Sequence, residues 1–210
     1  MRLVFASNNA HKLAEVREMM PAGIEILSLH EIGFEQEIAE TGSTLEENSL
    51  IKAQTVWNHE PKDIDGVFAD DTGLEIDALN GAPGVFTARW YSIPDSTGQC
   101  AVRTGALPEQ EIFRLNRLKA LRELEGKQNR ECRFRTVITL LTGKPETIQV
   151  EGVVRGRIAE EEHGKGGFGY DPVFIPDGYD KTFGELPAEL KNTISHRAKA
   201  LEELVKLLDC

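Results

Sequence analysis

Apolar positions along this chain fall either into short unbroken runs or into sets spaced three and four residues apart, and the two patterns take turns. The run at 2–6 breaks at Ser7, Asn8 and Asn9 and gives way to helical spacing at Leu13, Val16 and Met20, which predicts strand, polar loop and helix. Asn9 suits the N-cap of that helix, because its side-chain oxygen accepts a bond from a free N–H of the first turn. Residues 24–29 predict a second strand. Thr44 and Glu47 have capping-box spacing and open a helix that runs to about residue 59. Apolar runs at 66–69 and 74–79 predict two strands joined by a tight turn at Asp71, Thr72 and Gly73, since Asp and Gly favour turns. Residues 80–84 read as a loop closed by Pro83. Ile112, Leu115, Leu118 and Leu121 mark a helix with an apolar stripe. The runs at 133–141 and 147–158 are the longest β-like stretches, separated by a hairpin-like turn at 142–145. Leu201, Leu204, Val205 and Leu208 share one face of a closing helix. Helices and strands interleave without internal repeat or linker, so the predicted class is α/β or α+β.

Composition narrows the function classes. The 210 residues suffice for one domain of two lobes or two small domains. A net charge of -11 argues against broad contact with DNA, RNA or an anionic membrane, so a polyanionic ligand would need cations placed locally. Lysine, arginine, backbone N–H groups or a divalent metal can supply them. Cys100, Cys132 and Cys210 are scattered and include no C-x-x-C pair, which predicts reduced thiols rather than a zinc or redox site. The N-terminal apolar run is too short for a signal peptide or a spanning helix. The expectation is a cytoplasmic protein.

Four segments carry candidate chemistry, each with a plain structural alternative. Ser7, Asn8, Asn9 and Lys12 lie where a strand passes into a helix; they read either as an anion site at the helix N-terminus or as a capped helix with a solvated lysine. Asp70 and Asp71, at the end of an apolar run, read either as carboxylates that hold Mg²⁺ or activate water, or as turn residues. Glu40 and Glu47 are further acids, with surface or capping alternatives. The glycine-rich run at 164–169 matches G-x-G-x-x-G, but Asp171 and Pro172 follow where a helix should start, so no dinucleotide loop is expected; a Walker A loop is also absent. Finally, Phe168, Tyr170, Asp171, Lys191, Ser195, His196 and Arg197 combine rings, an acid and cations able to stack on a planar base and read its edge. The alternative makes the rings core residues and Ser195 a helix cap. Two cations at the start of a helix oppose its dipole, which calls for an anionic or electron-rich partner.

Taken together, A-S-N-N-A-H-K at 6–12, E-T-G-S-T-L-E-E-N at 40–48, A-D-D-T-G-L-E-I-D-A-L-N-G-A-P-G-V at 69–85, G-G-F-G-Y-D-P at 166–172 and K-N-T-I-S-H-R at 191–197 resemble the inosine triphosphatase or Ham1-like family of noncanonical purine nucleoside triphosphate pyrophosphatases. The resemblance implies a single domain over residues 1–210 with an elongated, two-lobed α/β fold. A long mixed β-sheet flanked by helices and a nucleotide cleft between the lobes belong to that expectation, as does a homodimer. It implies Mg²⁺-dependent hydrolysis of ITP, dITP and XTP to the monophosphate and pyrophosphate, with no nucleic-acid or membrane partner. It assigns the triphosphate to Ser7, Asn9 and Lys12, with Asn8 beside them. Asp71 becomes metal ligand and base for the attacking water, Glu40 a second metal ligand and Thr72 a substrate contact. The base falls to Phe168, by stacking, and to Gly169, Tyr170, Asp171, Lys191, His196 and Arg197. Departures are mild: Asn8, Thr72 and Trp90 replace a frequent glycine, serine and tyrosine, and residues 91–130 match poorly. A noncatalytic nucleotide sensor and a hydrolase of other modified nucleotides are the competing readings.

Overall fold

Residues 1–94 and 107–208 are described by a computed structural model. In chain order its elements are β1 (Arg2–Phe5), α1 (Ala10–Met19), β2 (Glu25–Leu27), α2 (Leu45–Trp57), β3 (Gly66–Ile76), β4 (Pro83–Gly84), α3 (Glu109–Glu123), β5 (Glu131–Leu141), β6 (Ile148–Ile158), β7 (Phe174–Pro176), α4 (Ala188–Ile194) and α5 (His196–Leu208). The strand order is β2-β1-β3-β5-β6-β7, with β4 paired to β3. β1 runs parallel to β2 and β3, whereas β4 and β7 pair antiparallel to their neighbours. This is the mixed α/β sheet that the family resemblance implies. The chain forms two compact units, and β3, β5 and β6 each contribute residues to both.

The first unit comprises Met1–Thr72, Arg135–Val153 and the chain from Ile194 onward. Side chains alternate across a strand, and here each face has its own core, as a sheet covered on both sides requires. Leu3, Phe5 and Phe68 pack with Val16 of α1 and with Ala200, Leu201 and Leu204 of α5. Val4, Val67 and Ala69 pack with Ala53 and Val56 of α2 on the other face. The helix starts follow the sequence. Asn9 accepts from the Lys12 N–H at 3.0 Å, and Thr44 from the Glu47 N–H at 3.1 Å. The Glu47 carboxylate turns to the Ser43 N–H and hydroxyl, which is the capping alternative.

The second unit comprises Gly73–Phe134 and Val154–Thr193. Its core includes Phe134, Phe174 and Phe183, whose rings meet at centroid distances of 4.8 and 5.1 Å. Buried here, Cys132 is a free thiol whose pKa burial pushes up, an inert group; Cys100 and Cys210 lie outside the described residues.

Three local expectations are corrected. The supposed turn at Asp71, Thr72 and Gly73 is the middle of one continuous strand, β3, because buried partners on both of its faces satisfy the polar side chains that otherwise favour a turn. Residues 80–84 are not all loop, since Pro83 and Gly84 pair with Glu75 and Leu74. On α3 the inward residues are Asn116, Lys119 and Ala120, while Leu118 is exposed. Asn116 donates to the Ala88 carbonyl and accepts from the Tyr91 N–H, and Lys119 donates to the carbonyls of Trp90 and Ile93. A polar stripe is buried because it binds backbone groups in and beside the turn at Thr87–Ser92.

Candidate active site

Adjacent residues of a strand face opposite ways, and this divides Asp70 from Asp71. Asp70 shares the face of Phe68 and points toward α1 and α5. Its carboxylate takes the Lys12 ammonium at 2.8 Å and the Arg197 guanidinium through Nε at 3.1 Å and Nη2 at 3.0 Å. Glu15 of α1 also pairs with Arg197. Thr72, two residues on and on the same face, donates to Thr136 or accepts from it at 2.8 Å. Burial alone would raise the Asp70 pKa, but Lys12, Arg197 and Lys52 outweigh it and hold this carboxyl well below the usual range. The Lys12 pKa is lowered, chiefly by burial, despite Asp70.

Asp71 shares the face of Ala69 and meets α2. The Lys52 ammonium lies 2.9 Å from Asp71 Oδ1 and 2.9 Å from Glu40 Oε1, and Asn48 Nδ2 is 3.3 Å from Asp71 Oδ2. Asn48 and Lys52 are four apart and so lie one above the other on a single helix face. Burial raises the Asp71 pKa, and Lys52 and Lys12 only partly offset it, so this carboxyl is the more basic of the two. For Lys52 burial works downward, but Asp71, Asp70 and Glu40 prevail and raise it, keeping the ammonium charged. The adjacent acids are therefore not a carboxylate pair. Asp70 is locked between two cations and Asp71 faces a lysine, an amide and a second acid.

Each of the other anticipated residues of this unit has a definite place. Ser7 Oγ accepts from the Asn9 N–H at 3.2 Å, and Asn8 is exposed in the same loop. Ser195 caps α5 through the Ala198 N–H at 3.2 Å. His196 and Arg197 are both buried in the first turn of that helix, and Arg197 finds the anionic partners its position calls for in Asp70 and Glu15.

In the second unit Phe168, Gly169, Tyr170, Asp171 and Lys191 come together. Asp171 Oδ2 accepts from the Phe168 N–H at 2.8 Å and from the Lys191 ammonium at 2.6 Å, and that ammonium lies 4.9 Å from the centre of the Phe168 ring. Phe168 is half-buried. Tyr170 turns inward, with its hydroxyl donating to the Thr87 carbonyl at 3.2 Å and its ring near Phe134, so its side chain follows the core alternative.

Sequence reasoning passed over Lys52, Asn48 and Glu15. The available signal was a lysine and an asparagine at helical spacing on the buried side of α2; Glu15 offered none, because its partner lies 182 residues away.

Asp71 and Glu40 converge on one cationic group, and such hard oxygens also suit a magnesium ion, which is commonly held by one or two carboxylates together with substrate phosphates. Among the described residues no group of three or more His, Cys, Asp or Glu side chains gathers as a complete metal cage. Nor, among them, is any helix long and apolar enough to cross a membrane.

The chain is similar to known proteins along almost its whole length. The model of the Ham1 family matches residues 3–207. The dITP/XTP pyrophosphatase of Flavobacterium johnsoniae is 46% identical over 99% of this chain and 98% of its own length. That of Bacillus subtilis is 44% identical over 98% and 96%. Among solved structures, the Ham1 protein of Staphylococcus aureus superposes with a TM-score of 0.79 at 32% identity, covering 100% of this chain and 98% of that one. A HAM1 protein of Coxiella burnetii gives 0.78 at 36%, again over 100% and 98%. With its fold matched end to end and its family model spanning nearly every residue, the chain belongs to the Ham1 family.

Proposed function

We propose that this protein hydrolyses noncanonical purine nucleoside triphosphates, dITP, ITP and XTP, to the monophosphate and pyrophosphate. The observation that carries the reading is the separation of the two aspartates, which leaves Asp71 as a basic buried carboxylate beside a charged lysine. Relatives named dITP/XTP pyrophosphatases, matched over almost their whole length, support the substrate class.

Water attacks the α-phosphorus and the bond to the bridging oxygen breaks, so pyrophosphate leaves. Asp71 takes the proton of the attacking water, and its raised pKa makes it a better acceptor. Lys52 and Asn48 fix the direction of that carboxylate. Lys12, with the N–H groups of the Ser7–Asn9 loop, is assigned to the phosphates, and Thr72 to a neighbouring contact. In the ion-paired cluster Asp70, Asp71, Glu40 and Glu15 stand against Lys12, Lys52 and Arg197, which leaves an excess of one negative charge there. A triphosphate therefore requires a divalent cation to enter with it. Mg²⁺ held by Asp71 and Glu40 would neutralise phosphate oxygens.

Phe168 is assigned to stacking on the base, with Asp171 and Lys191 along its edge. Hypoxanthine and xanthine carry an oxygen at C6 where adenine has an amino group, so a donor there accepts the former and rejects the latter. His196 and Arg197 are the proposed donors, the latter aimed by its anchorage to Asp70 and Glu15. The assay is pyrophosphate release from dITP, ITP, XTP, ATP and GTP with Mg²⁺. Turnover of the first three should exceed that of ATP by at least about a hundredfold. Equal turnover of ATP would sink the specificity, and ITP binding without hydrolysis would make the protein a sensor. Preferential cleavage of modified pyrimidine nucleotides would move it to another substrate class. The expectations of a homodimer and of a cytoplasmic location stay with this proposal; sedimentation and cell fractionation test them.

A further inference from the structure

Phe168 sits in a loop whose backbone needs outside support. Gly164, Gly167 and Gly169 all have positive φ, at 81°, 68° and 60°, which glycine adopts without the steric cost that a Cβ brings. Local bonds tie down part of it: Gly166 N–H donates to the Gly184 carbonyl at 2.9 Å, and Asp171 receives the Phe168 N–H. The carbonyl of Gly169, next to the ring, is held from α3. Arg117 Nη1 donates to it at 2.8 Å, and Nη2 reaches Glu162 Oε2 at 3.1 Å. Among the described residues the buried Arg117 Nε has no hydrogen-bond partner, so the two Nη contacts set where this side chain lies. Four residues earlier, on the same face of α3, the Phe113 ring lies 6.1 Å from that of Phe168.

We infer that Arg117, with Phe113, is a positioning residue for base recognition: α3 is the template that sets the Phe168 ring, although neither side chain is assigned to the nucleotide. The inference rests on the stacking role proposed for Phe168. Asn116 and Lys119 in turn tie α3 to the carbonyls of Ala88 and Trp90. Lysine cannot replace Arg117, because one ammonium cannot span Gly169 and Glu162 as the planar fork does.

The test compares Arg117→Lys and Phe113→Leu with the parent protein, using ITP as substrate and inorganic triphosphate, which has no base, as competing ligand. The KM for ITP should rise about tenfold in Arg117→Lys, with kcat within about twofold and the inhibition constant of triphosphate unchanged. Phe113→Leu should act in the same direction and more weakly. An unchanged KM in both variants overturns the inference, and so does parallel weakening of ITP and triphosphate, which would mean general loss of structure. Calorimetric binding of ITP and triphosphate gives the same comparison without turnover. If the parent binds ITP but fails to cleave it, the catalytic proposal falls while the binding data still decide the part played by Arg117.

Discussion

Replacing Asp71 with Asn should lower pyrophosphate release by about 10³-fold while leaving the protein folded and able to bind nucleotide. Asparagine keeps the shape and one acceptor oxygen, so Lys52 retains a partner there as well as Glu40 at 2.9 Å. What disappears is the basic charge that takes the proton from water. The neighbouring change, Asp70→Asn, should do the reverse in the first instance. Asp70 and Arg197 are only 1% and 2% exposed, and Lys12 shares the same carboxylate. Removing that charge leaves two cations to be balanced by Glu15, and breaking a buried pair of this kind costs about 3 kcal/mol. Denaturant unfolding with turnover measured on the folded fraction separates the two outcomes. Turnover retained in Asp71→Asn would remove that residue from its role. Equal loss of stability in both variants would mean that the two faces of β3 are not distinct in function.

Much of this arrangement is legible in local pattern, and what is not depends on partners remote in the chain. Asn9 and Thr44 cap the helices they were expected to cap, because a cap is decided within four residues. The turn expected at Asp71 to Gly73 failed for the opposite reason. Asp and Gly are turn residues when their polar groups must find local partners, but here Lys12, Lys52 and Arg197 arrive from positions 58, 19 and 127 residues away. The same limit misled the reading of α3. Its leucines mark a helix correctly, yet the buried stripe is set by carbonyls of the Thr87–Ser92 turn that no periodicity within α3 can reveal. The site residues named from the sequence fall in two sets. Ser7, Asn8, Asn9, Lys12, Glu40, Asp71, Thr72, His196 and Arg197 belong to the first unit, and Phe168, Gly169, Tyr170, Asp171 and Lys191 to the second. Placing Arg197 beside Asp70 changes its meaning, from a group near a base to one also fixed by two acids.

Gly152→Ala should be the most damaging small substitution in the first unit. Gly152 is a buried residue of β6, and a Cβ there would overlap the carbonyl oxygen of His196 and the backbone nitrogen of Ala200. Both are backbone atoms of α5, so no side chain can swing aside and the helix itself must move. That helix places Ala200, Leu201 and Leu204 in the core and holds Arg197 on Asp70. Overpacking of this kind costs about 3 kcal/mol, and a displaced α5 should also raise the KM for ITP by pulling Arg197 from its anchor. Gly143, exposed in the turn between β5 and β6, is the control, because a Cβ there meets nothing within 4 Å. Gly143→Ala should change stability by less than about 0.5 kcal/mol. Comparable unfolding midpoints for the two alanine variants would show that α5 does not rest on β6 at Gly152. A stability loss confined to Gly152→Ala, with KM raised in the molecules that remain folded, is the expected result: the start of α5 is held by the strand beneath it, and the geometry of Arg197 depends on a side chain being absent.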